Sequence, residues 1–306
     1  MALTPAPDAA HRRGNPLRLK SDLILLLVPF LWGTAFIAMR LAAGHGTIFY
    51  LNGIRFLLGG LLLLPFAKLK QALNRRNLVY VGLAGLALFG AVGLQQAGLA
   101  TTTAGNGGFI TSLSVVIVPL LLWLLWRERL SLLTGAAIFL AILGGFLLST
   151  GGTFGKLNPG DLLILVGAFF WALHVVVVGK GQPYIDPLPF AVGQYLVCGL
   201  LNLLVAPLLE HPTLAQMTYV LPAILYTAVF SVAIGFTLQV FAQKYTPPTD
   251  ASLILSLEGV FAAFFGWLFL HESLRPVQLA GCTAILTAVI LVQVRNGKIP
   301  AAPNPA

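Results

Sequence analysis

Charge is what this chain has least of. Of its 306 residues, 9 are Asp or Glu and 18 are Lys or Arg, a charged share of 9% where soluble domains carry about a quarter. That shortage excludes an ordinary water-solvated surface. The excess of basic residues would suggest nucleic-acid binding in a soluble chain, but in so apolar a sequence it is better read as placement of charge in loops. Cysteine is scarce too: Cys198 and Cys282 both fall in apolar runs as small hydrophobes, without metal-ligand spacing. Several catalytic motifs are missing. Gly155-Lys156 is followed by Leu157, so there is no phosphate-cradling G-x-x-x-x-G-K-[ST]; His271-Glu272 has no second His three positions on; and no G-x-S-x-G elbow occurs. No cofactor, catalytic metal, nucleic acid or obligate protein partner is therefore expected, and energy for any transport has to come from gradients or from the solute.

What fills the chain is apolar: 58% hydrophobic residues and a mean hydropathy of +0.91. A helix crosses the roughly 30 Å hydrocarbon layer in about 20 residues, so the sequence holds on the order of ten crossings with little left for a soluble domain. Apolar runs broken by Gly, Pro and charge clusters predict spans at 22–43, 47–67, 78–99, 103–126, 131–150, 160–180, 187–209, 217–242, 249–270 and 275–294. This is an all-α integral membrane chain of ten transmembrane helices, with tails at 1–21 and 295–306. The stretch from His11 to Gly33 has the outline of a signal peptide, but its apolar run continues to Ala43, and an uncleaved first span is expected.

Alternating the loops between two sides separates the basic residues. One side collects Arg12, Arg13, Arg18, Lys20, Lys68, Lys70, Arg75, Arg76, Arg127, Arg129, Lys180, Lys244, Arg295 and Lys298, and the other only Arg40, Lys156 and Arg275. The positive-inside rule then puts both termini in the cytoplasm of a multi-pass protein.

The two halves repeat. An offset of 144 pairs Gln95 with Gln239, Thr102 with Thr246, Ser112 with Ser256, Trp123 with Trp267 and Glu128 with Glu272; nearer each start an offset of 139 pairs Phe30 with Phe169, Trp32 with Trp171, Leu57 with Leu196 and Gly60 with Gly199. Units at 22–150 and 160–294 hold five spans each. An odd count inverts the second copy, and inverted-topology repeats are the architecture of alternating access around a midplane site.

The stretches GFITSLSVVIVPLLLWLLWRERLS from Gly108 and ASLILSLEGVFAAFFGWLFLHESL from Ala251, with FLWGTAFIAMR from Phe30 and FFWALHVVVVGK from Phe169, resemble the two EamA-type halves of the drug/metabolite transporter superfamily. The resemblance covers about 22–294 and is nearest to bacterial exporters of amino acids, particularly aromatic ones. It implies an exporter of amino acids, with efflux of drugs or other amphipathic metabolites as the alternative and an intramembrane lipid-modifying enzyme as a remote one. Gly259 and Val115 stand where the family often has proline, so the resemblance carries no proline kink to those positions.

Within the spans, polar residues are few enough to weigh singly. Glu258, mid-span, either faces a cavity, contacting a substrate amine or carrying a proton, or is a neutral or paired structural carboxyl. Arg55 is either a hydrogen-bond hub within the bundle or the partner of a substrate carboxylate, and its repeat mate is Gln194. His174 is a titratable site residue or an interhelical tie. Gln95 and Gln239 form a symmetric pair of amides suited to polar solutes, or else to holding helices together. Trp32 and Trp171 sit too deep for an interfacial belt; they pack the bundle or line a pocket for aromatic solutes. Glu128 and Glu272 close their spans as gating or capping groups. Glycines 82, 85, 90 and 93 predict close helix contact in the third span, and Pro29, Pro119, Pro222, Pro247 and Pro248 mark kinks or helix starts.

Overall fold

In a computed structural model, residues 16–70, 74–128, 130–150, 159–271 and 275–297 are described, and all their regular structure is helical. The elements are α1 (Pro16–Ala42), α2 (Ile48–Leu63), α3 (Arg75–Leu99), α4 (Ala104–Ser112), α5 (Ser114–Trp126), α6 (Leu132–Thr150), α7 (Pro159–Gly181), α8 (Pro187–Leu209), α9 (Leu214–Tyr226), a π-helix (Thr227–Phe236), α10 (Thr237–Ala242), α11 (Pro248–Leu255), α12 (Leu257–Leu270) and α13 (Pro276–Gly297). Among the described residues, eight helical stretches are long and apolar enough to cross a membrane, and two shorter apolar helices, Leu132–Leu148 and Pro276–Leu291, complete ten. Leucines and phenylalanines cover the outside, among them Leu27, Leu86, Phe139, Leu204 and Phe269, as expected of a bundle whose solvent is hydrocarbon.

Caps at the ends of the third and eighth spans record the duplication. Asn74 caps α3 by accepting from the Asn77 amide, and Thr213, 139 residues on, caps α9 by accepting from the Gln216 amide. The fourth and ninth spans are each broken once. α4 gives way to α5 at Leu113 and α11 to α12 at Ser256, and both breaks carry a serine hydroxyl turned back on its own helix: Ser112 Oγ donates to Phe109 O and Ser256 Oγ to Leu253 O, each at 2.7 Å. No proline is needed for the distortion. The same two spans end on left-handed residues 144 apart, Arg127 (φ 55°) and His271 (φ 56°), the two non-glycine residues with positive φ among those described. Pro248 starts α11, where its missing N–H costs nothing, and Pro29, Pro119 and Pro222 lie inside α1, α5 and α9.

The halves interlock. α3 packs on α7 and α8 of the second half, and the eighth span packs on α1 and α2 of the first. The second and seventh spans cross symmetrically: a Cβ on Gly199 would lie 2.7 Å from Leu57 Cγ, and one on Gly60 would lie 3.3 Å from Leu196 Cδ2. At the crossing of α4 with α12, a Cβ on Gly108 would come within 3.2 Å of the Gly259 Cα, so glycine at 259 serves close approach. α6 and α13 pair with each other beside this core.

One departure from symmetry shapes the centre. The third span runs 25 residues between its caps, while Leu214–Ala242 runs 29, and the π-helix lies in the middle of that longer span. The change of offset from 139 to 144 is therefore absorbed within the eighth span, where i→i+5 bonding takes up residues that an α-helix would displace along the axis.

Candidate functional site

Where the first, second, third, sixth, eighth and ninth spans meet, the bundle holds a small cavity, with about 20 Å³ of room for the centre of a water-sized sphere. Trp32, Ala35, Phe36 and Met39 line it from α1, Arg55 from α2, Gln95 from α3, Trp171 from α7, Ser231 and Phe236 from the π-helix, and Glu258 from the first turn of α12. Trp32 is 7% exposed, Arg55 2%, Gln95 5%, Trp171 8% and Glu258 6%, so the lining side chains are buried within the bundle.

Its two ionisable side chains, Arg55 and Glu258, do not pair with each other. Arg55 Nε donates to Asn52 Oδ1 at 3.0 Å, its Nη1 lies 3.5 Å from Met39 Sδ, and the guanidinium stands 4.9 Å from the Phe56 ring centroid. A guanidinium has five N–H donors, and Asn52 is its one oxygen acceptor among the described residues. No ion pair or hydrogen bond holds the Glu258 carboxylate among those residues either. Glu258 follows the break at Ser256, so it sits at the positive N-terminal end of a half-helix, the geometry by which interrupted spans meet ions. A buried guanidinium with donors to spare and a buried carboxyl without a protein partner face one chamber, an arrangement that offers a ligand both donors and an acceptor.

Aromatic rings make the rest of the wall. Phe236 lies 4.6 Å from Trp32 and stacks on Trp171 at 5.7 Å with the planes 7° apart, and the two indoles are 6.0 Å from each other. The indole Nε1 of Trp32 donates to the Ser231 carbonyl at 3.4 Å, a backbone group of the π-helix, while Trp171 Nε1 is buried with no protein acceptor.

Of the residues singled out from sequence, the structure brings Trp32, Arg55, Gln95, Trp171 and Glu258 to this chamber. Gln95 is also tied, donating to Thr111 Oγ1 at 2.9 Å. His174 stands one layer back, 2.9 Å from Gln194 Oε1 and edge-on to both Trp171 and Phe236, so it supports the aromatic wall rather than lining it. Gln239 is turned elsewhere: it donates to Gln243 Oε1, which passes the chain on to the Val175 carbonyl. The extra residues taken up by the π-helix explain why the mate of Gln95 does not share its position. Glu128 lies at the end of α5 on an exposed surface, paired with Lys180, and Glu272 lies outside the described residues. Sequence reasoning missed Met39, Ser231 and Phe236. Met39 was findable, seven residues and about two turns beyond Trp32 on the same helix face; Ser231 and Phe236 were not, because a 3.6-residue period fails across a π-helix.

A second hollow, wider and open, lies between Gly46–Phe49 and Leu209–Gln216. Its carboxylate, Glu210, is occupied in accepting from the amides of Phe49 and Tyr50 at the start of α2.

Comparison with known proteins gives a consistent picture. The profile of the EamA-like transporter family matches residues 19–150 and again 158–294. An uncharacterized transporter of Archaeoglobus fulgidus is 34% identical over 91% of this chain and 87% of its own. The inner membrane transporter YedA of Escherichia coli, also uncharacterized, is 25% identical over 91% and 92%, and a WAT1-related chloroplast protein of Arabidopsis thaliana is 29% identical over 90% and 69%. A crystal structure 18% identical in sequence superposes with a TM-score of 0.74 over 91% of this chain and 98% of its own, a likeness of fold.

Proposed function

Since the chain belongs to the EamA-like transporter family, a membrane transporter family of the drug/metabolite superfamily, we propose that it exports amino acids with aromatic or other large apolar side chains by alternating access. One observation carries this reading: Arg55 and Glu258 face the same small aromatic chamber without pairing with each other. A zwitterion would satisfy both, its carboxylate on the guanidinium and its ammonium on Glu258, while the side chain lies against Trp32, Trp171 and Phe236. The free indole N–H of Trp171 offers a further donor to the carboxylate. With lysines and arginines on one side of the bundle, the reading places both termini in the cytoplasm of a bacterial inner membrane, and export runs from that side.

Efflux of amphipathic cations is the competing reading, favoured by the same rings and by Glu258. Arg55 weighs against it, because a buried unpaired cation repels a cationic guest. Counterflow in liposomes decides between them. Preloaded phenylalanine is expected to drive uptake of labelled phenylalanine, with leucine and tryptophan competing and lysine, glutamate, nucleotides and cationic drugs not. Competition by cationic drugs without competition by any amino acid would replace this reading with efflux, and chemical conversion of a solute without its movement would point to an enzyme.

A further inference from the structure

The chamber is small for the solute assigned to it. Its room for the centre of a water-sized sphere is about 20 Å³. A cavity needs roughly 10–15 Å³ of such room to hold a water molecule, whereas a cavity that takes up benzene is on the order of 150 Å³. As it stands, the chamber matches one or two water molecules in size, and an aromatic side chain enters only after a wall has moved.

Size alone would also suit a dry gap in an apolar core, so the lining decides. Arg55 gives its Nε–H to Asn52 and an Nη1–H to Met39 Sδ, which leaves the rest of the five N–H donors of a guanidinium. Trp171 Nε1 is a second donor without a protein acceptor. On the accepting side, Glu258 has no protein partner among the described residues, and Gln95, whose Nε2 donates to Thr111, has its amide oxygen to offer. These four side chains come from α2, α7, α12 and α3, and all are more than nine-tenths buried. Unmet polar groups in such a place are costly, and the guest that relieves them has to accept and donate at once. A small anion would satisfy Arg55 and not Glu258, and a small cation the reverse; water serves both and is held by two to four partners of this kind. We propose that ordered water, one molecule or two, occupies the chamber of the solute-free protein, accepting from Arg55 and donating to Glu258, and that a solute binds by displacing it. The water keeps the two groups satisfied without letting them collapse into a direct pair, so both are free to receive a solute when the water leaves. The displacement step rests on the reading of the chamber as the solute site; the water itself does not.

The test uses the full chain in lipid nanodiscs without any solute, in a structure fine enough to show water on the helix ends. Density within hydrogen-bonding distance of both an Arg55 nitrogen and a Glu258 oxygen is the expected result. Replacing chloride by bromide in the buffer should leave that density unchanged. Ala35→Val, which puts two methyl groups into the chamber wall, should abolish it, and Ala35→Gly should keep it. Infrared spectra give a second readout: a hydrogen-bonded O–H stretch that shifts in H₂¹⁸O should be present in the original chain and in Ala35→Gly and lost in Ala35→Val. A chamber without density while helix-end water is visible, a direct contact between Arg55 and Glu258, or a bromide in the water's place overturns the proposal, as does an O–H band that survives Ala35→Val. Counterflow that shows no amino-acid transport would remove the solute reading and leave the water result standing.

Discussion

Replacing Arg55 by Gln removes the cation of the chamber while keeping a polar side chain beside Asn52. The guanidinium has one protein oxygen, so at least two of its N–H groups are available to a substrate carboxylate. Hydrogen bonds to charged groups contribute about 1.5–3 kcal/mol each, and after allowance for imperfect geometry the pair is worth roughly 2–4 kcal/mol, on the order of 30- to 700-fold in Kd. A cycle separates that contribution from any general damage. Binding of phenylalanine and of phenethylamine, which lacks the carboxylate, is measured by calorimetry on protein in nanodiscs, for the original chain and for Arg55→Gln. Phenylalanine should lose the full factor and phenethylamine should lose nothing or gain slightly, since a repelling cation has gone. Arg55→Lys should fall between, because an ammonium keeps charge but not the planar fork. Equal losses for both ligands would mean that Arg55 holds the helices rather than the substrate, and the reasoning from its unsatisfied donors would fail.

Three other outcomes follow from the same geometry. Phe236→Leu removes a ring stacked on Trp171, and a stacked pair is worth about 0.5–1.5 kcal/mol, so the preference for phenylalanine over leucine in competition counterflow should fall by up to about tenfold; an unchanged preference would show that the rings do not touch the solute. Glu258→Gln should raise the KM for amino acids while leaving counterflow intact, and neither form should concentrate solute under an imposed proton gradient; gradient-driven accumulation by the original chain, lost in the variant, would make Glu258 a proton carrier instead. His271→Gly places glycine at a left-handed helix end and should stabilise the fold by about 1 kcal/mol, read as a higher Tm in detergent; a lower Tm would mean that the imidazole itself is needed there.

The ten spans, the inversion and the pairing of Trp32 with Trp171 were legible because each rests on a pattern that survives along one helix: apolar length, basic loops, or a constant offset. The breaks in the fourth and ninth spans were not read from the sequence, where Ser112 and Ser256 show only as a matched pair; their bonds to Phe109 O and Leu253 O appear in the structure. What the sequence hid lies in the eighth span. Gln239 reads as the mate of Gln95 at an offset of 144, yet the π-helix between Thr227 and Phe236 turns the span so that Ser231 and Phe236 reach the chamber and Gln239 does not. Such a shift depends on packing against α1 and α2, which no period within the segment encodes. Asp22, Asp161 and Asp250 escaped attention for a different reason. They sit at span ends, where a carboxylate is unremarkable until its partner in the other half is known: Thr246 for Asp22, Thr102 for Asp161 and Arg18 for Asp250.

The claim at the centre of this account is that the solute sits between the two halves, against Trp32, Trp171 and Phe236. Photolabelling tests it most directly. A tritiated phenylalanine analogue with a ring azide is irradiated with the protein in liposomes, and the modified residues are identified by mass spectrometry. Labels on α1, α7 and the Thr227–Phe236 segment, lost when unlabelled phenylalanine is added, are the expected result. Labels confined to the open hollow around Glu210 and His211, or to the paired helices α6 and α13, would contradict it.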